Sequence, residues 1–413
     1  MAASNEIVIH AGRLLAEPGQ AAKTRQSVRI ADGRISAVAD GFVDPPPGAT
    51  VIDLRDRFVL PGLIDCHVHL TMQLGPGQRL ALVEDSDPKT GLDGAQRARL
   101  TLEAGFTTVR DLGARKPEII YALRDAVAEG KVPGPRILAV GAILSPTGGH
   151  GQAYGFRQDV CTCVQSNAGV CDGVDGCRRA VRLQVAQGAD AIKFAATGGV
   201  LSNIRAGIDQ QFTTDELRTI IETAHTLGRR VSAHAHGLGG INAALENGVD
   251  SIEHGSFLDD ESIRLFLEHN AFHTPTIIAG MTVLGMAQGG MVLTPAQREK
   301  ALVVGENIKT ALGRSYRAGV KISFGTDMGV GPHGENAREF ALMVEAGMPA
   351  ADAIKAATVT AAELLDISDL AGTVAPGKSA DIIAVAGDPL ADVTELERVK
   401  FVMAAGSLAR VEA

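Results

Sequence analysis

The sequence lacks both an excess of positive charge and any long apolar run. Its 413 residues include 39 lysines and arginines against 48 acidic residues, which makes the formal net charge −9. Because nucleic-acid binding requires clustered positive charge, this balance predicts no nucleic-acid partner. Crossing a bilayer requires about 20 consecutive apolar residues, and no uninterrupted run approaches that length, so no membrane span is expected.

Two further features bear on the cellular compartment. The amino-terminal residues MAASNEIVIHAG lack a basic segment followed by an apolar one, which predicts a cytoplasmic protein. Cysteine is scarce, but four of the five cysteines fall in one stretch, at Cys161, Cys163, Cys171 and Cys177. Their spacing matches no standard zinc pattern. A zinc knuckle, reduced thiols and local disulfides are all compatible with these positions, and disulfides would indicate a periplasmic or secreted protein.

Strand-like and helix-like segments alternate over residues 60–372. The predicted strands begin at Leu60, Phe106, Pro135, Ala189, Arg229, Ser251, Phe272 and Lys321. Eight strands alternating with amphipathic helices indicate an α/β fold, a (β/α)8 TIM barrel. A doubly wound open sheet is the alternative, but no G-x-G-x-x-G turn follows the first strand.

The two ends of the chain contain short alternating segments without helices between them. Residues 1–59 and 373–413 are therefore predicted to pair into one small β-sandwich domain. A hairpin is expected around Asp32-Gly33, because Asp-Gly favours a two-residue turn. The long segment 145–176 has little apolar periodicity, and we predict that it forms a lid over the barrel mouth.

The ends of the predicted barrel strands contain most of the residues that can bind metal. His67 and His69 are two residues apart on one strand, so their imidazoles point to the same side. The residues at other strand ends are Lys193, His234, His236, His254 and Asp327. Lys193 stands in an apolar strand, where an unpaired ammonium is costly. It could act as a Schiff-base nucleophile, pair with Asp327 or Asp111, or react with CO2 to form a carbamate.

The motifs PGLIDCHVHL, IKF, SAHAHG, SIEHG and FGTDMG resemble, in this order, those of the amidohydrolase superfamily of metal-dependent hydrolases. The resemblance covers nearly the whole chain. It implies two divalent metal ions, usually zinc. His67, His69 and Asp327 would bind the more buried ion, and His234 and His254 the second. Lys193, as its CO2-derived carboxylate, would bridge the two ions together with a hydroxide, and Asp327 would transfer protons.

The segments SPTGGHG, IKFAATGGV and HAHG resemble the imidazolonepropionase-like and prolidase-like branch of this superfamily. The resemblance implies a homo-oligomer and a small-molecule substrate. The implied reaction is cleavage of a C–N amide or peptide bond, which releases a C-terminal apolar amino acid from dipeptides, N-acyl amino acids or ochratoxin-type amides. The candidate substrate-binding residues are His150, Tyr154, Arg157, His236 and His273.

Three alternatives accompany this prediction. The same centre could open a cyclic amide or cleave a carbamate or an ester. A mononuclear deaminase of the superfamily fits less well, because such enzymes lack the lysine and carry a glutamate where Ala-His-Gly-Leu follows His234. A non-catalytic scaffold on the same barrel would be expected to lose metal ligands, and this chain keeps the full set.

Overall fold

The computed structural model describes residues 6–75, 77–152, 157, 159–161, 169–202, 207–289 and 293–412. Its barrel strands are β5 (Leu63–Val68), β6 (Phe106–Asp111), β7 (Arg136–Ala139), β8 (Ile192–Ala195), β9 (Val231–Ala235), β10 (Ser251–His254), β11 (Phe272–Thr274) and β12 (Lys321–Ile322). Each of the eight predicted strands is therefore present and in the predicted order.

The barrel strands are parallel and close into a ring. In the described residues they form a three-stranded sheet, β5-β6-β7, and a five-stranded sheet, β12-β11-β10-β9-β8. Parallel bridges between Leu144 and Phe194 and between Val68 and Met328 join the two sheets on both sides. This closure confirms the predicted (β/α)8 barrel and excludes the open doubly wound sheet, because an open sheet keeps two free edges.

Helices surround this ring. The described helices are α1 (Gln78–Glu84), α2 (Asp87–Glu103), α3 (Pro117–Ala128), α4 (Gly173–Ala186), α5 (Thr214–Thr226), α6 (Leu238–Glu246), α7 (Asp260–Glu268), α8 (Ile277–Gly289), α9 (Pro295–Arg317), α10 (Arg338–Glu345), α11 (Ala350–Ala356) and α12 (Val359–Leu364). Among the described helices, none is long and apolar enough to cross a membrane. Capping boxes begin α5, α7 and α9, and these provide partners for the free backbone amides of the first turn.

The two chain ends build one small sheet, as predicted. Its described strands are β1 (Ile7–Leu14), β2 (Lys23–Ala31), β3 (Arg34–Asp40), β4 (Thr50–Pro61), β13 (Ile382–Val385), β14 (Phe401–Ala404) and β15 (Ser407–Val411). They pair in the order β15-β14-β13-β4-β1-β2-β3. Asp32 and Gly33 both have positive φ, at 51° and 74°, so they form the predicted hairpin turn between β2 and β3.

The segment predicted to form a lid is described in part. Residues 145–152 and 169–172 precede α4, whereas 153–156, 158 and 162–168 lie outside the described residues, and Cys163 is one of these. Cys171 and Cys177 are buried free thiols. A hydrogen bond to Cys177, together with burial, raises the pKa of the Cys171 thiol. The lid itself stays a prediction.

Candidate metal centre and active site

The predicted metal ligands meet at the carboxyl end of the barrel. His67, Lys193, His234 and His254 are all nearly inaccessible to solvent. The ligand atoms of His67, His254 and Asp327 lie within 4.8 Å of one another, and so do those of His234, His236 and His254. The tertiary structure thus forms two adjacent candidate metal-binding groups, which share His254.

The orientation of the first two imidazoles is set by hydrogen bonds at Nδ1. His67 donates from Nδ1 to the Glu253 carboxylate at 2.9 Å, and His69 donates from Nδ1 to the Gly113 carbonyl at 2.8 Å. Because these partners accept hydrogen bonds only, the proton stays on Nδ1 and the Nε2 lone pair is available to a metal. A partner on the second nitrogen is typical of metal-binding histidines.

His254 and His236 are held in the same way. Nδ1 of His254 lies 2.6 Å from the Thr276 hydroxyl, and Nδ1 of His236 lies 2.9 Å from the Ser256 hydroxyl. The two rings are stacked, with centroids 4.7 Å apart. His236 therefore faces the site beside the predicted ligand His254, as its spacing from His234 predicts.

A hydrogen bond to a neighbouring carboxylate raises the pKa of His69 in spite of its burial. Burial keeps the other imidazoles of the site neutral. It lowers the pKa of His67 to about 4 and that of His236 to about 3, and it lowers the pKa of His234 and His254 well below the ordinary value. Neutral imidazole is the form that binds metal, since a protonated ring has no free lone pair.

Two buried nitrogens have no partner in the described part of the protein. They are Nζ of Lys193 and Nε2 of His234. Buried polar atoms normally find a hydrogen-bond partner, so such atoms point to a missing group. Burial also lowers the pKa of Lys193 to about 8, which increases the neutral, nucleophilic fraction of its amine. The surroundings therefore fit both a metal ion at His234 and a carbamate on Lys193.

Asp327 faces the first two histidines. Its Oδ1 lies 3.2 Å from Nε2 of His69 and 3.5 Å from Nε2 of His67. Burial alone would raise the pKa of Asp327, but the two imidazoles hold it below its ordinary value. Asp327 and His254 both adopt positive φ, at 58° and 73°. Non-glycine residues in this conformation are strained, and such strain is concentrated at functional sites.

A buried ion pair behind His67 was missed by the sequence reasoning. The Glu253 carboxylate, which accepts from His67, also accepts from Nη2 of Arg110 at 2.9 Å and from the hydroxyls of Ser232 and Ser251 at 2.6 and 2.7 Å. Glu253 is fully buried, and its proximity to Arg110 holds its pKa well below the ordinary value in spite of burial. A charged residue directly before His254 in a buried strand was the available signal.

Asp65 is a second residue that the sequence reasoning missed. Its buried carboxylate accepts from the backbone amide of His67 at 3.0 Å, from the Thr326 hydroxyl at 2.6 Å and from the Asn336 amide at 2.8 Å. These bonds join the strand that contains His67 to the segment that contains Asp327. Burial raises the pKa of Asp65 to about 6.

The predicted substrate-binding residues are placed differently from one another. His150 lines the cavity above the centre, stacks on His234 with centroids 4.0 Å apart, and lies 2.5 Å from the Ser202 hydroxyl through Nδ1. His273 uses both nitrogens within the protein, at 2.8 Å from the Ser315 hydroxyl and 3.0 Å from the His254 carbonyl. Its contacts support the backbone of His254.

The remaining two candidates lie in the segment predicted as a lid. The Arg157 side chain is 80% exposed and pairs with Asp159 at 2.6 Å. The structure therefore does not bring Arg157 into contact with the metal-binding groups. Tyr154 lies outside the described residues.

A cavity of about 970 Å³ opens above the two metal-binding groups. Its floor contains the histidines, Lys193 and Asp327, and much of its wall consists of apolar side chains from α8 and α9. Pockets of this size and character typically bind small molecules. The arrangement can accommodate a compact ligand with an apolar part above a metal centre.

Comparison with known proteins agrees with this geometry. Residues 58–409 match the amidohydrolase family. The ochratoxinase of Aspergillus niger is 32% identical over 424 residues, which covers 96% of this chain and 84% of that protein. A crystal structure of a Xaa-Pro dipeptidase with bound methionine in its active site is 39% identical, with a TM-score of 0.93 over 98% of this chain and 99% of that chain.

A further solved structure is that of a prolidase in complex with N-methylphosphonate-L-proline. It is 32% identical to this chain, with a TM-score of 0.89, and the match covers 98% of this chain and 100% of that chain. Each of these solved structures matches the barrel and the small sheet together, because the match extends over nearly the whole chain.

Proposed function

The chain belongs to the amidohydrolase family and hydrolyses C–N bonds, and from this premise we propose that it releases an apolar C-terminal amino acid from dipeptides or N-acyl amino acids, including ochratoxin-type amides. The observation that carries the proposal is a pair of buried nitrogens, on Lys193 and His234, that have no partner among the described residues and lie beneath a large cavity. The activities named for the ochratoxinase and the Xaa-Pro dipeptidase support the same bond type.

The donor set fits two divalent ions, and zinc suits it best, because zinc combines imidazole and carboxylate ligands. His67, His69 and Asp327 would hold one ion, and His234 and His254 the other. His236 lies within 4.8 Å of the second group and would face the substrate carbonyl. Lys193, as its carbamate, would bridge the ions and give its nitrogen the partner that it lacks within the described residues.

The protein residues then orient the substrate and move its protons. The metal ions, when bound, supply Lewis-acid polarisation of the scissile carbonyl and activation of water. Asp327 is held ionised by its two histidines, so it can accept the proton from the attacking water and pass it to the leaving amine. Glu253 and Gly113 keep His67 and His69 in the orientation that this arrangement needs.

The test combines metal content with hydrolysis. Protein purified without chelator is analysed by elemental mass spectrometry and assayed against dipeptides, N-acyl amino acids and ochratoxin-type amides. We expect close to two zinc-like ions per chain and release of an apolar amino acid. One ion with deamination activity would favour the mononuclear alternative. No bound metal, and no hydrolysis after addition of zinc and bicarbonate, would contradict the proposal.

Assembly into a homo-oligomer and a cytoplasmic location stay predictions. If the same screen finds hydrolysis only of cyclic amides, carbamates or esters, the proposed substrate class is wrong, but the proposed metal centre is unaffected. The screen therefore includes one member of each of these groups.

A further inference from the structure

Arg115 lines the active-site cavity, and its guanidinium has no protein partner within the described residues. It lies in the loop between β6 and α3, at the carboxyl end of the barrel. No hydrogen bond, ion pair or ring contact involving Arg115 occurs in the described part of the chain, and burial is what lowers its pKa below the ordinary value. The Arg115 side chain is only partly exposed. A partly buried guanidinium without an anion is unfavourable, which points to a ligand that supplies one.

Three other cationic side chains of residues 97–116 have protein partners. Arg110 pairs with Glu253 at 2.9 Å, and Lys116, next to Arg115 in the chain, pairs with Asp87 at 2.6 Å. Arg97 in α2 donates to the Leu70 carbonyl at 3.1 Å. These three cations therefore have partners within the protein, whereas Arg115 lines the cavity.

The backbone before Arg115 is held rigidly against the metal-binding residues. The Gly113 carbonyl accepts from His69, and the amide of Ala114 donates to the Gly141 carbonyl at 2.8 Å. Gly113 has φ 143°, and a Cβ there would lie 2.4 Å from the Ile143 side chain, so the loop packs tightly. Arg115 is thus placed at a defined position relative to His69.

The cavity has a cationic part and an apolar part. Apart from Lys193 and Asp327 in the metal centre, Arg115 is the only side chain with a permanent charge among the described residues that line it. Part of the wall is apolar and comes from α8 and α9, with Val283, Met286, Val304 and Ile308. These helices follow β11, which is three strand positions from β6 around the closed barrel. A ligand with an anionic group and an apolar group matches this division.

We propose that Arg115 binds the carboxylate of the substrate as a bidentate ion pair, while the apolar part of the substrate occupies the wall formed by α8 and α9. This inference rests on the proposed amide hydrolysis and adds the group that selects free-acid substrates. Arginine suits the role because its planar guanidinium matches the two oxygens of a carboxylate. Arg115, and not the exposed Arg157, is then the carboxylate receptor.

Binding tests the proposal without turnover. Zinc-loaded protein is titrated by calorimetry with 3-phenylpropanoate and with 3-phenylpropan-1-ol, neither of which has a bond to cleave. We expect Arg115→Gln to weaken binding of the carboxylate by about 10- to 100-fold, as for loss of a charged hydrogen-bonded pair, and to leave the alcohol within about twofold. Arg115→Lys should recover part of the loss. The control Lys116→Gln removes a charge from the same loop and should change neither affinity.

Kinetics separates this proposal from the proposed function. For N-acetyl-L-phenylalanine, Arg115→Gln should lower kcat/KM by a similar factor, whereas for N-acetylphenethylamine, which lacks the carboxylate, kcat/KM should stay unchanged. If wild-type protein cleaves neither compound, the substrate proposal fails and calorimetry still tests Arg115. If carboxylate binding is equal in Arg115→Gln and wild type, or falls equally in Lys116→Gln, the assignment of Arg115 is overturned.

Discussion

At the scale of single residues, Lys193 shows how burial can make an amine more nucleophilic. Its Nζ has no partner within the described residues, and burial lowers its pKa to about 8. Lys300 also has a pKa of about 8, but its Nζ donates to the carbonyls of Gly199 and Ser202 at 2.7 and 2.8 Å. Two lysines with similar pKa values thus differ in whether the amine donates hydrogen bonds to described protein groups.

Replacing Lys193 tests the proposed bridging carbamate. We expect Lys193→Ala to lose at least one of two metal ions per chain and to lose hydrolysis, because no carboxylate then joins the two groups of ligands. After incubation with carbon-13 bicarbonate, wild-type protein should show a labelled carbamate signal by NMR that Lys193→Ala lacks. Lys300→Ala serves as the matched control and should keep the signal. Full metal content in Lys193→Ala would contradict the carbamate.

Glu253 should matter for stability as well as for metal binding. Glu253→Gln leaves Arg110 as a buried cation without its anion, which costs about 3–5 kcal/mol in the free energy of unfolding. A neutral glutamine accepts a weaker hydrogen bond from Nδ1 of His67 than the Glu253 carboxylate does, so metal affinity should fall by about 10- to 100-fold. Denaturant unfolding and metal titration measure the two effects.

The control for Glu253 is Glu363→Gln, which removes an exposed carboxylate paired with Lys321. Exposed pairs contribute little, so this change should cost less than about 1 kcal/mol. A Glu253→Gln protein as stable as Glu363→Gln would show that the buried pair does not stabilise the barrel.

At the scale of elements, one carboxyl joins two helices beside the cavity. Glu339 in α10 is fully buried, and its two oxygens accept from the amides of Ile277 and Ile278 at the start of α8, at 2.8 and 2.7 Å. Burial raises the pKa of Glu339 to about 8. Helix α8 supplies part of the apolar cavity wall, so this contact bears on the shape of the substrate site.

The contribution of Glu339 to stability should depend on pH. Its pKa is raised from 4.5 to about 8 in the folded protein, so the folded state binds the proton more tightly than the unfolded chain does. Stability from this group is therefore fully present below pH 4.5 and decreases as the pH rises towards about 8. Relative to Glu339→Gln, metal-free wild type should lose about 1.4 kcal/mol per pH unit in this window.

The measurement is denaturant unfolding of both proteins at several pH values between 4 and 9. Glu345→Gln changes an exposed residue in the same helix, which pairs with Lys309 at the surface. Its free energy of unfolding should vary with pH in parallel with that of wild type. Parallel curves for Glu339→Gln and wild type would mean that folding does not raise the pKa of Glu339.

At the scale of the whole molecule, the proposed metal centre would join distant parts of the chain. The candidate ligands extend from His67 to Asp327, and the small sheet pairs strands from both chain ends. Ions that bind the folded barrel and not the unfolded chain stabilise the whole fold through mass action. Because the ligands come from four strands and a following loop, the unfolded chain has no preformed site.

Removal of metal should therefore lower the melting temperature. At a free zinc concentration about a thousandfold above Kd, binding contributes about 4 kcal/mol, and chelation followed by dialysis should remove that contribution. Calorimetric melting of treated and untreated protein measures the change, and addition of zinc should restore the original Tm. An unchanged Tm in protein shown to be metal-free would exclude a stabilising metal centre.

The sequence by itself determined the eight barrel strands, the small sheet and the set of candidate ligands. These depend on local information: strand periodicity puts His67 and His69 on one side, and the barrel gathers the ends of its parallel strands at one mouth. The tertiary structure brings those ligands into two adjacent groups. Zinc, the carbamate and the substrate stay proposals.

Only the tertiary structure decided which residues support the site and which face the cavity. Glu253 pairs with Arg110, which lies 143 residues away in the sequence. Both ring nitrogens of His273 form hydrogen bonds within the protein. Arg115 has no anionic partner within the described residues. No local pattern distinguishes Arg115 from the paired Lys116 beside it. The physical reason is that burial and pairing depend on distances between segments far apart in the chain, which only the folded barrel sets.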